Sequence, residues 1–336
     1  MNLVRKILFP VSIIYWLVTF IRNWLYDKGV FKSTSFDVPV IAVGNLSVGG
    51  TGKTPQIEYL IDLLADTYKV AVLSRGYKRK SKGFVLADEQ ATAESIGDEP
   101  FQFFTKFKDK CLVAVDADRR NAINALMNLP NKPDVILLDD AFQHRKVKGG
   151  FYILLTAYND LFVDDFILPF GNLREPSLGK KRADIVVVTK CPTNLDGLQQ
   201  QNIIDKLQVE CPVFFSSIVY DDFVYNNVSK INVEAIKNES KLLVAGIANP
   251  TPFFDYLQDK NDQLLTYPDH YFFTKNDCIK IAEKATTKKI VTTEKDFVRL
   301  NGLLPQNQLF YLPIKLKILK KSDFDTVIFN CINVNN

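Results

Sequence analysis

Short apolar runs alternate with helical patterns along most of the chain. Runs rich in Val, Ile and Leu occur at residues 38–43, 70–73, 112–115, 135–138, 152–155 and 185–189. Such near-continuous apolar runs are typical of parallel strands that are covered on both faces. Residues 54–65 and 101–107, which lie between them, have the spacing of amphipathic helices. The order of these elements predicts an α/β fold with a doubly wound, mostly parallel sheet.

The alternation of strand-like runs and helical patterns changes after residue 213. Alternating aromatic residues in 213–240 favour a hairpin, and a second α/β stretch follows, with a strand at 242–245, a helix near 252–257 and a strand at 290–293. We therefore predict a second, smaller α/β domain. The predicted units are an N-terminal segment (1–35), a core (36–215), a linker (216–240), the smaller domain (241–308) and a C-terminal segment that returns to the core (309–336).

The N-terminal segment carries a different pattern. An uncharged stretch of 15 residues, 7–21, contains Pro10 and is shorter than the roughly 20 residues that span a bilayer. After Pro10, apolar residues recur at helical spacing, and both tryptophans of the chain lie here. This pattern predicts an amphipathic helix on a membrane surface. A helix that packs on the protein's own core is the alternative.

The net charge supports the membrane interpretation. Residues 1–35 hold five bases and one acid, a net +4, so the remaining chain has 37 bases (42 − 5) and 37 acids (38 − 1). A nucleic-acid-binding protein usually carries its excess positive charge on the folded body. We therefore expect an anionic membrane surface as a partner and no nucleic acid. The five scattered cysteines include no CxxC pair, which argues against a zinc site.

A glycine-rich turn with a Lys-Thr pair follows the strand at 38–43. Its residues are Ser47, Val48, Gly49, Gly50, Thr51, Gly52, Lys53 and Thr54. The turn differs from the P-loop pattern G-x-x-x-x-G-K-[ST] only at Ser47. Its backbone N–H groups can converge on phosphate oxygens, Lys53 can reach the terminal phosphates, and the Thr54 hydroxyl can bind Mg²⁺. The sequence predicts a P-loop NTPase-like core that binds ATP and Mg²⁺.

Other polar residues stand at the ends of predicted elements. Asp139 and Asp140 follow the strand at 135–138, where P-loop proteins place a carboxylate beside the nucleotide's Mg²⁺. Asp98 precedes a predicted helix, where a helix cap is the ordinary role. Arg174 and Glu175 lie in a loop bounded by Gly and Pro, either as phosphate or metal contacts or as surface residues.

Two further features are less specific. The chain has only two histidines, His144 and His270, so a histidine base has few candidates, and a structural role is equally consistent with His144. Thr189-Lys190 after a strand is similar to the base-reading TKxD motif of GTP-binding proteins. Pro192 stands where that motif has its Asp, so guanine recognition is not expected.

Together these motifs resemble the tetraacyldisaccharide 4'-kinase family of lipid A biosynthesis, over most of the chain. The matching blocks in this sequence are GN…GGTGKTP (44–55), SRGY (74–77), GDEP (97–100), DDAFQHR (139–145), LREP (173–176), PDH (268–270) and TTEKD (292–296). Ser47 is ordinary for this family, and Ala141 stands where a glycine is common.

The resemblance implies transfer of the ATP γ-phosphoryl group to the 4'-hydroxyl of a tetraacyl glucosamine disaccharide 1-phosphate, a lipid A precursor. It implies an enzyme on the cytoplasmic face of the bacterial inner membrane. By this resemblance Asp98 is the catalytic base and His270 its partner. Lys53 and Thr54 bind phosphate and Mg²⁺, Asp139 and Asp140 surround the metal, and two further residues line the nucleotide and metal site, namely Arg174 and Glu175.

Two alternatives remain open at this point. A membrane-associated P-loop ATPase of the partitioning type would hydrolyse ATP only, but such proteins carry a further lysine early in the loop, where this chain has Ser47 and Val48. A nucleotide-gated lipid-binding module would neither transfer nor hydrolyse phosphate.

Overall fold

The computed structural model describes residues 3–269 and 271–333. The α-helices in this part are α1 (Leu3–Ile7), α2 (Phe9–Asp27), α3 (Lys53–Leu64), α4 (Ala93–Ile96), α5 (Asp98–Phe107), α6 (Arg119–Met127), α7 (Gly197–Leu207), α8 (Val233–Lys237), α9 (Thr251–Leu257), α10 (Lys275–Ala285), α11 (Glu294–Leu300) and α12 (Lys321–Asn333). The strands are β1 (Val40–Asn45), β2 (Val70–Ser74), β3 (Val85–Leu86), β4 (Cys111–Val115), β5 (Val135–Leu138), β6 (Phe151–Ala157), β7 (Ile185–Thr189), β8 (Val213–Tyr220), β9 (Phe223–Tyr225), β10 (Lys230–Asn232), β11 (Lys241–Ala245), β12 (Gln263–Thr266), β13 (Lys289–Thr293), β14 (Leu309–Leu312) and β15 (Ile314–Ile318).

The larger sheet has the order β15-β8-β7-β6-β1-β5-β2-β4-β3 among the described residues. Its inner strands are parallel, and only the edge strands β3 and β15 run antiparallel to their neighbours. The α/β fold with a doubly wound, mostly parallel sheet is therefore confirmed. In β1, Ile41 and Val43 face the layer formed by α3, α5 and α12, while Val40 and Ala42 face α6 on the other side.

The strand and helix boundaries differ from the predicted ones at two informative places. The strand predicted at 38–43 begins at Val40, because Pro39 has no N–H to donate to a ladder. The helix predicted at 101–107 begins at Asp98, since Pro100 is tolerated within the first turn of a helix.

The smaller sheet has the order β10-β9-β14-β13-β11-β12 in the described part of the chain. Strands β9 and β10 form an antiparallel hairpin within the segment where the aromatic alternation favoured one. The second, smaller α/β unit is thus present. The chain enters this sheet after β8 and leaves it after β14, because β15 pairs with β8 of the larger sheet. The exact domain limits stay a prediction.

Helix α2 is the predicted N-terminal helix, and it lies on the surface of the larger unit. No helix in the described residues combines the length and apolar character needed to cross a bilayer.

Candidate active site

The P-loop lies where β1 ends and α3 begins. Gly52 is the N-cap of α3 with φ 87, a left-handed conformation that glycine adopts without a Cβ penalty. The first N–H groups of α3 have no intrahelical partner and point into the loop. This geometry is a ready-made anion site.

The first half of the loop is held by a second segment of chain. The Val48 N–H donates to the Asn172 carbonyl (2.8 Å), and the Arg174 N–H donates to the Leu46 carbonyl (2.7 Å). Ser47 forms an isolated antiparallel bridge with Leu173. This pairing carries the Arg174 side chain to the mouth of the loop.

Lys53 and Arg174 both approach Asp140. The Lys53 Nζ lies 3.6 Å from Asp140 Oδ1 and donates to Asn45 Oδ1 at 3.2 Å. The Arg174 Nη1 donates to both carboxylate oxygens, at 2.9 and 3.0 Å. Burial acts against ionisation, but the two cations outweigh it and lower the pKa of Asp140. Asp140 has φ 46, and such left-handed backbone in a non-glycine residue is frequent at functional sites.

The surroundings of Asp139 raise the pKa of its carboxyl group, whereas those of Asp140 lower it. It is buried and accepts a hydrogen bond from Ser74 Oγ at 2.9 Å. Burial, together with the negative charges of Glu99 and Asp140, raises the pKa of Asp139 to about 7. The carboxyl groups of Asp139, Asp140 and Glu99 repel one another beside Lys53. A bound cation would reduce this repulsion.

The N-terminus of α5 brings Asp98 and Glu99 to the P-loop. The Thr54 Oγ1 lies 3.4 Å from Glu99 Oε1, so the first turns of α3 and α5 meet. Asp98 is the first residue of α5, whose N-cap is Gly97, and no side-chain cap is formed among the described residues. The ordinary role of a capping aspartate is therefore not the one seen for Asp98.

Helix α11, in the smaller unit, supplies cations to both of these carboxylates. The Arg299 Nη2 and Nε donate to Asp98 Oδ2 at 2.6 and 3.2 Å. The Lys295 Nζ lies 3.3 Å from Glu99 Oε1. The site is thus assembled from both sheets.

A buried charge cluster joins the same three helices behind the site. Lys106 of α5 contacts Glu58 of α3 at 2.8 Å and Glu294 of α11 at 3.2 Å. Gln102 donates to the other oxygen of Glu58 at 2.9 Å. Burial, followed by the charge of Glu294, raises the pKa of Glu58 to about 7. Lys106 is shared by the buried carboxyl groups of Glu58 and Glu294. One of these two groups therefore binds a proton at a pH well above the ordinary pKa of a glutamate.

Glu175 accepts hydrogen bonds from three side chains of the protein. It is buried and accepts hydrogen bonds from Asn23 Nδ2 (2.6 Å), Gln143 Nε2 (3.0 Å) and Arg182 Nη2 (2.7 Å). The contact of Asn23 with Glu175 holds α2 against the loop that carries Arg174 and Glu175. The assignment of Glu175 to nucleotide or metal binding stays a prediction.

Helix α2 docks through its polar side. Besides Asn23, Tyr15 donates to the Arg174 carbonyl (2.9 Å) and Arg22 donates to the Gln143 carbonyl (2.8 Å). The opposite side is apolar and exposed. The exposed large apolar residues of this helix are Phe9, Val11, Ile13, Ile14, Trp16, Leu17, Val18, Ile21 and Trp24. The helix packs on the protein and still presents an uncovered apolar face, so the two interpretations made from the sequence do not exclude each other.

Of the two histidines, His144 lies within the described residues and His270 does not. His144 is half-buried, and its buried Nε2 has no hydrogen-bond partner among the described residues. Burial and the nearby Arg119 lower the pKa of His144 to about 4, so it is neutral near pH 7. His270 lies outside the described residues, and its pairing with Asp98 stays a prediction.

Side chains that could hold a magnesium ion lie beside the P-loop, although they do not form a closed cluster. Among residues 3–269 and 271–333, no three His, Cys, Asp or Glu side chains lie close enough together to form a ready-made metal site. Mg²⁺ usually takes only one or two carboxylates and completes its shell with phosphates and water. The Thr54 hydroxyl and the mutually repelling carboxyl groups of Asp139 and Glu99 fit this kind of site.

The sequence interpretation identified the P-loop, the aspartate pair and Asp98, and the structure brings these together. It did not identify the cation partners Lys295 and Arg299 or the contact of Glu99 with Thr54. Lys295 lies within the TTEKD block and Arg299 three residues after it, but their distance to Asp98 and Glu99 depends on how the two sheets pack.

Comparisons with known proteins cover nearly the whole chain. The model of a family described as "Tetraacyldisaccharide-1-P 4'-kinase" matches residues 4–333. A protein named tetraacyldisaccharide 4'-kinase from Flavobacterium johnsoniae is 60% identical over 338 residues, which is 100% of this chain and 99% of that protein. One of the same name from Bacteroides thetaiotaomicron is 47% identical and covers 94% of this chain and 90% of its own length. A crystal structure of LpxK from Aquifex aeolicus in complex with ATP superposes with a TM-score of 0.82 at 32% identity, covering 98% of this chain and 100% of that one.

Proposed function

Because this chain belongs to the tetraacyldisaccharide-1-P 4'-kinase family, we propose that it phosphorylates the 4'-hydroxyl of a tetraacyl glucosamine disaccharide 1-phosphate with ATP. The product is the 1,4'-bisphosphate. The observation that carries this proposal is the meeting of the P-loop with the carboxylates of α5 at Thr54, while α2, whose outer side is apolar and exposed, docks on the loop that pairs with the P-loop. A phosphate donor and a lipid acceptor can therefore be held at one place.

The P-loop holds the triphosphate. The backbone N–H groups of Gly49, Gly50 and Gly52 would surround the phosphates, since that of Val48 is already donated to the Asn172 carbonyl, and Lys53 would balance the phosphate charge. In the structure Lys53 contacts Asp140, which is itself held by Arg174, so these two cations stand at the same edge of the loop. Phosphoryl transfer depends mainly on such positioning and charge neutralisation.

Mg²⁺ would be held by the Thr54 hydroxyl and the carboxylates of Asp139 and Asp140, with Glu99 next to Thr54. When bound, the ion neutralises charge on the phosphate oxygens. Asp140 is tied to Arg174 through both of its oxygens, whereas Asp139 accepts one hydrogen bond from Ser74. Asp139 is therefore the better candidate for direct ligation.

Asp98 is the proposed base. The acceptor's 4'-oxygen forms a bond to the γ-phosphorus, the bond from that phosphorus to the bridging oxygen of ATP breaks, and ADP leaves with the electron pair. The proton of the 4'-hydroxyl passes to the Asp98 carboxylate. The family resemblance adds His270 as the partner of this carboxylate.

The apolar face of α2 is the proposed contact with the membrane that holds the acceptor. Exposed aromatic residues and flanking bases suit the headgroup layer of an anionic bilayer. An apolar cleft of about 290 Å³ between α2 and the loop at 166–170 is lined by Phe9, Ile13, Trp16, Phe166 and Phe170 and could receive an acyl chain. The corresponding location is the cytoplasmic face of the bacterial inner membrane.

An assay with γ-labelled ATP and the lipid acceptor tests this function against its two alternatives. Label in the lipid product supports the kinase reaction. Release of inorganic phosphate without labelled lipid would indicate an ATPase of the partitioning type, and neither product would indicate a binding module.

A further inference from the structure

The end of β7 lies directly against the P-loop. The Thr189 Oγ1 donates to the Thr51 carbonyl at 2.8 Å. A Cβ placed on Gly52 would meet the Thr189 side chain at 3.5 Å. The segment Thr189-Lys190, which has no role in the proposed phosphate transfer, is therefore part of the wall of the nucleotide site.

Lys190 projects over this loop. Its backbone is left-handed, with φ 57, a conformation that costs energy for a residue with a long side chain. Its Nζ would lie 3.9 Å from a Cβ on Gly50. Within the described parts of the chain, this ammonium forms no hydrogen bond or ion pair, although burial and the nearby Lys295 lower the pKa of Lys190. The left-handed backbone thus places the cation of an exposed side chain over the loop.

The sheet order indicates which part of the nucleotide Lys190 faces. Ligands of open α/β sheets bind at the carboxyl ends of the strands. Strand β5, which carries Asp139 and Asp140, adjoins β1 on one side, while β6 and then β7 follow on the other. The transferred phosphate points toward the carboxylates, so the nucleoside extends toward β6 and β7.

We propose that Lys190 contacts the nucleoside part of ATP, with its alkyl stem against the base or ribose and its ammonium above the P-loop rim. This assignment rests on the proposed nucleotide site and extends it. The segment Thr189-Lys190-Cys191-Pro192 has the lysine of the base-reading TKxD motif but lacks the carboxylate that accepts the N–H donors of guanine. Lys190 therefore contacts the base of the nucleotide without selecting guanine.

Isothermal titration of the full-length protein with Mg-ATP and with inorganic tripolyphosphate tests the proposal. Tripolyphosphate offers the phosphates without a nucleoside. A cation and its alkyl stem against the base add affinity that the phosphates do not supply, so Lys190→Ala should weaken ATP binding about tenfold. Tripolyphosphate binding should not change. Lys317→Ala, on the exposed edge strand β15 of the same sheet, is the matched control and should leave both affinities unchanged.

Two results would overturn the proposal. An equal loss for tripolyphosphate would place the ammonium on the phosphates, and an unchanged ATP affinity would remove Lys190 from the site. If Lys190→Ala did not fold, Lys190→Met, which keeps most of the stem, must still lose ATP affinity selectively. These binding readouts do not require lipid phosphorylation, so failure of the kinase reaction would be seen separately, as ATP binding without transfer.

Discussion

The exposed face of α2 allows a sharp test of membrane binding. Ile14 and Val18 lie one turn apart at the centre of this face, with 65% and 58% of their surfaces exposed. We expect the double substitution Ile14→Glu/Val18→Glu to release the protein from anionic vesicles. The fold should be retained, because neither side chain is part of the docked polar side.

The magnitude follows from the exposed area. Full burial of one such side chain stabilises by about 1.5–3 kcal/mol. Burial of the exposed six-tenths of both side chains therefore corresponds to roughly 2–4 kcal/mol of membrane binding. Two carboxylates at an anionic surface add repulsion of about 1 kcal/mol each. Binding should therefore weaken by more than about 100-fold.

The assay is co-sedimentation with vesicles that contain phosphatidylglycerol, with circular dichroism to confirm the fold. Leu198→Glu/Val228→Glu is the matched control, since these apolar residues are 73% and 83% exposed on other parts of the surface. Undiminished vesicle binding by the well-folded Ile14/Val18 variant would refute the role of α2. Deletion of the helix is a poorer test, because Tyr15 and Asn23 hold the loop with Arg174 and Glu175.

Three further predictions concern the site and its support. Lys53→Ala should reduce kcat by a factor on the order of 10² or more, because it removes a cation from the phosphate cradle; near-normal turnover would exclude this role. Asp98→Asn should abolish most transfer while ATP affinity in calorimetry persists, since the amide cannot accept the proton; joint loss of both would indicate a binding role instead. Because Glu58 has a pKa of about 7 in the folded protein and 4.5 as its ordinary value, the folded state holds a proton that the unfolded chain releases. The free energy of unfolding should then fall by roughly 1–3 kcal/mol as pH rises from about 5 to 8. Glu58→Gln should flatten that slope in urea titrations, whereas Glu234→Gln at an exposed pair should not.

Much of the site could be predicted from the sequence because its chemistry is local. The P-loop is a contiguous turn between a strand and a helix, and Asp139 and Asp140 follow the adjacent strand β5. Strand ends of a parallel sheet meet at one edge, so these residues were expected to lie together.

The contacts that were missed depend on tertiary packing. Arg299 is 201 residues from Asp98 and Lys295 is 196 residues from Glu99, and only the packing of α11 on α5 brings them together. Glu175 stands in a conspicuous Gly/Pro-bounded loop, but its three hydrogen-bond donors come from α2, Gln143 and Arg182. The motif around Lys190 lacks its Asp and so does not predict a role for this lysine, yet the end of β7 reaches the P-loop.

Transfer of phosphate to the 4'-position of the lipid is the activity proposed for this protein. The most direct measurement is ³¹P NMR of the lipid recovered after incubation of the acceptor 1-phosphate with Mg-ATP and the full-length protein. We predict a second phosphomonoester signal that couples to the proton at the 4'-carbon. Recovery of lipid with the 1-phosphate signal alone, while ADP accumulates, would contradict the account.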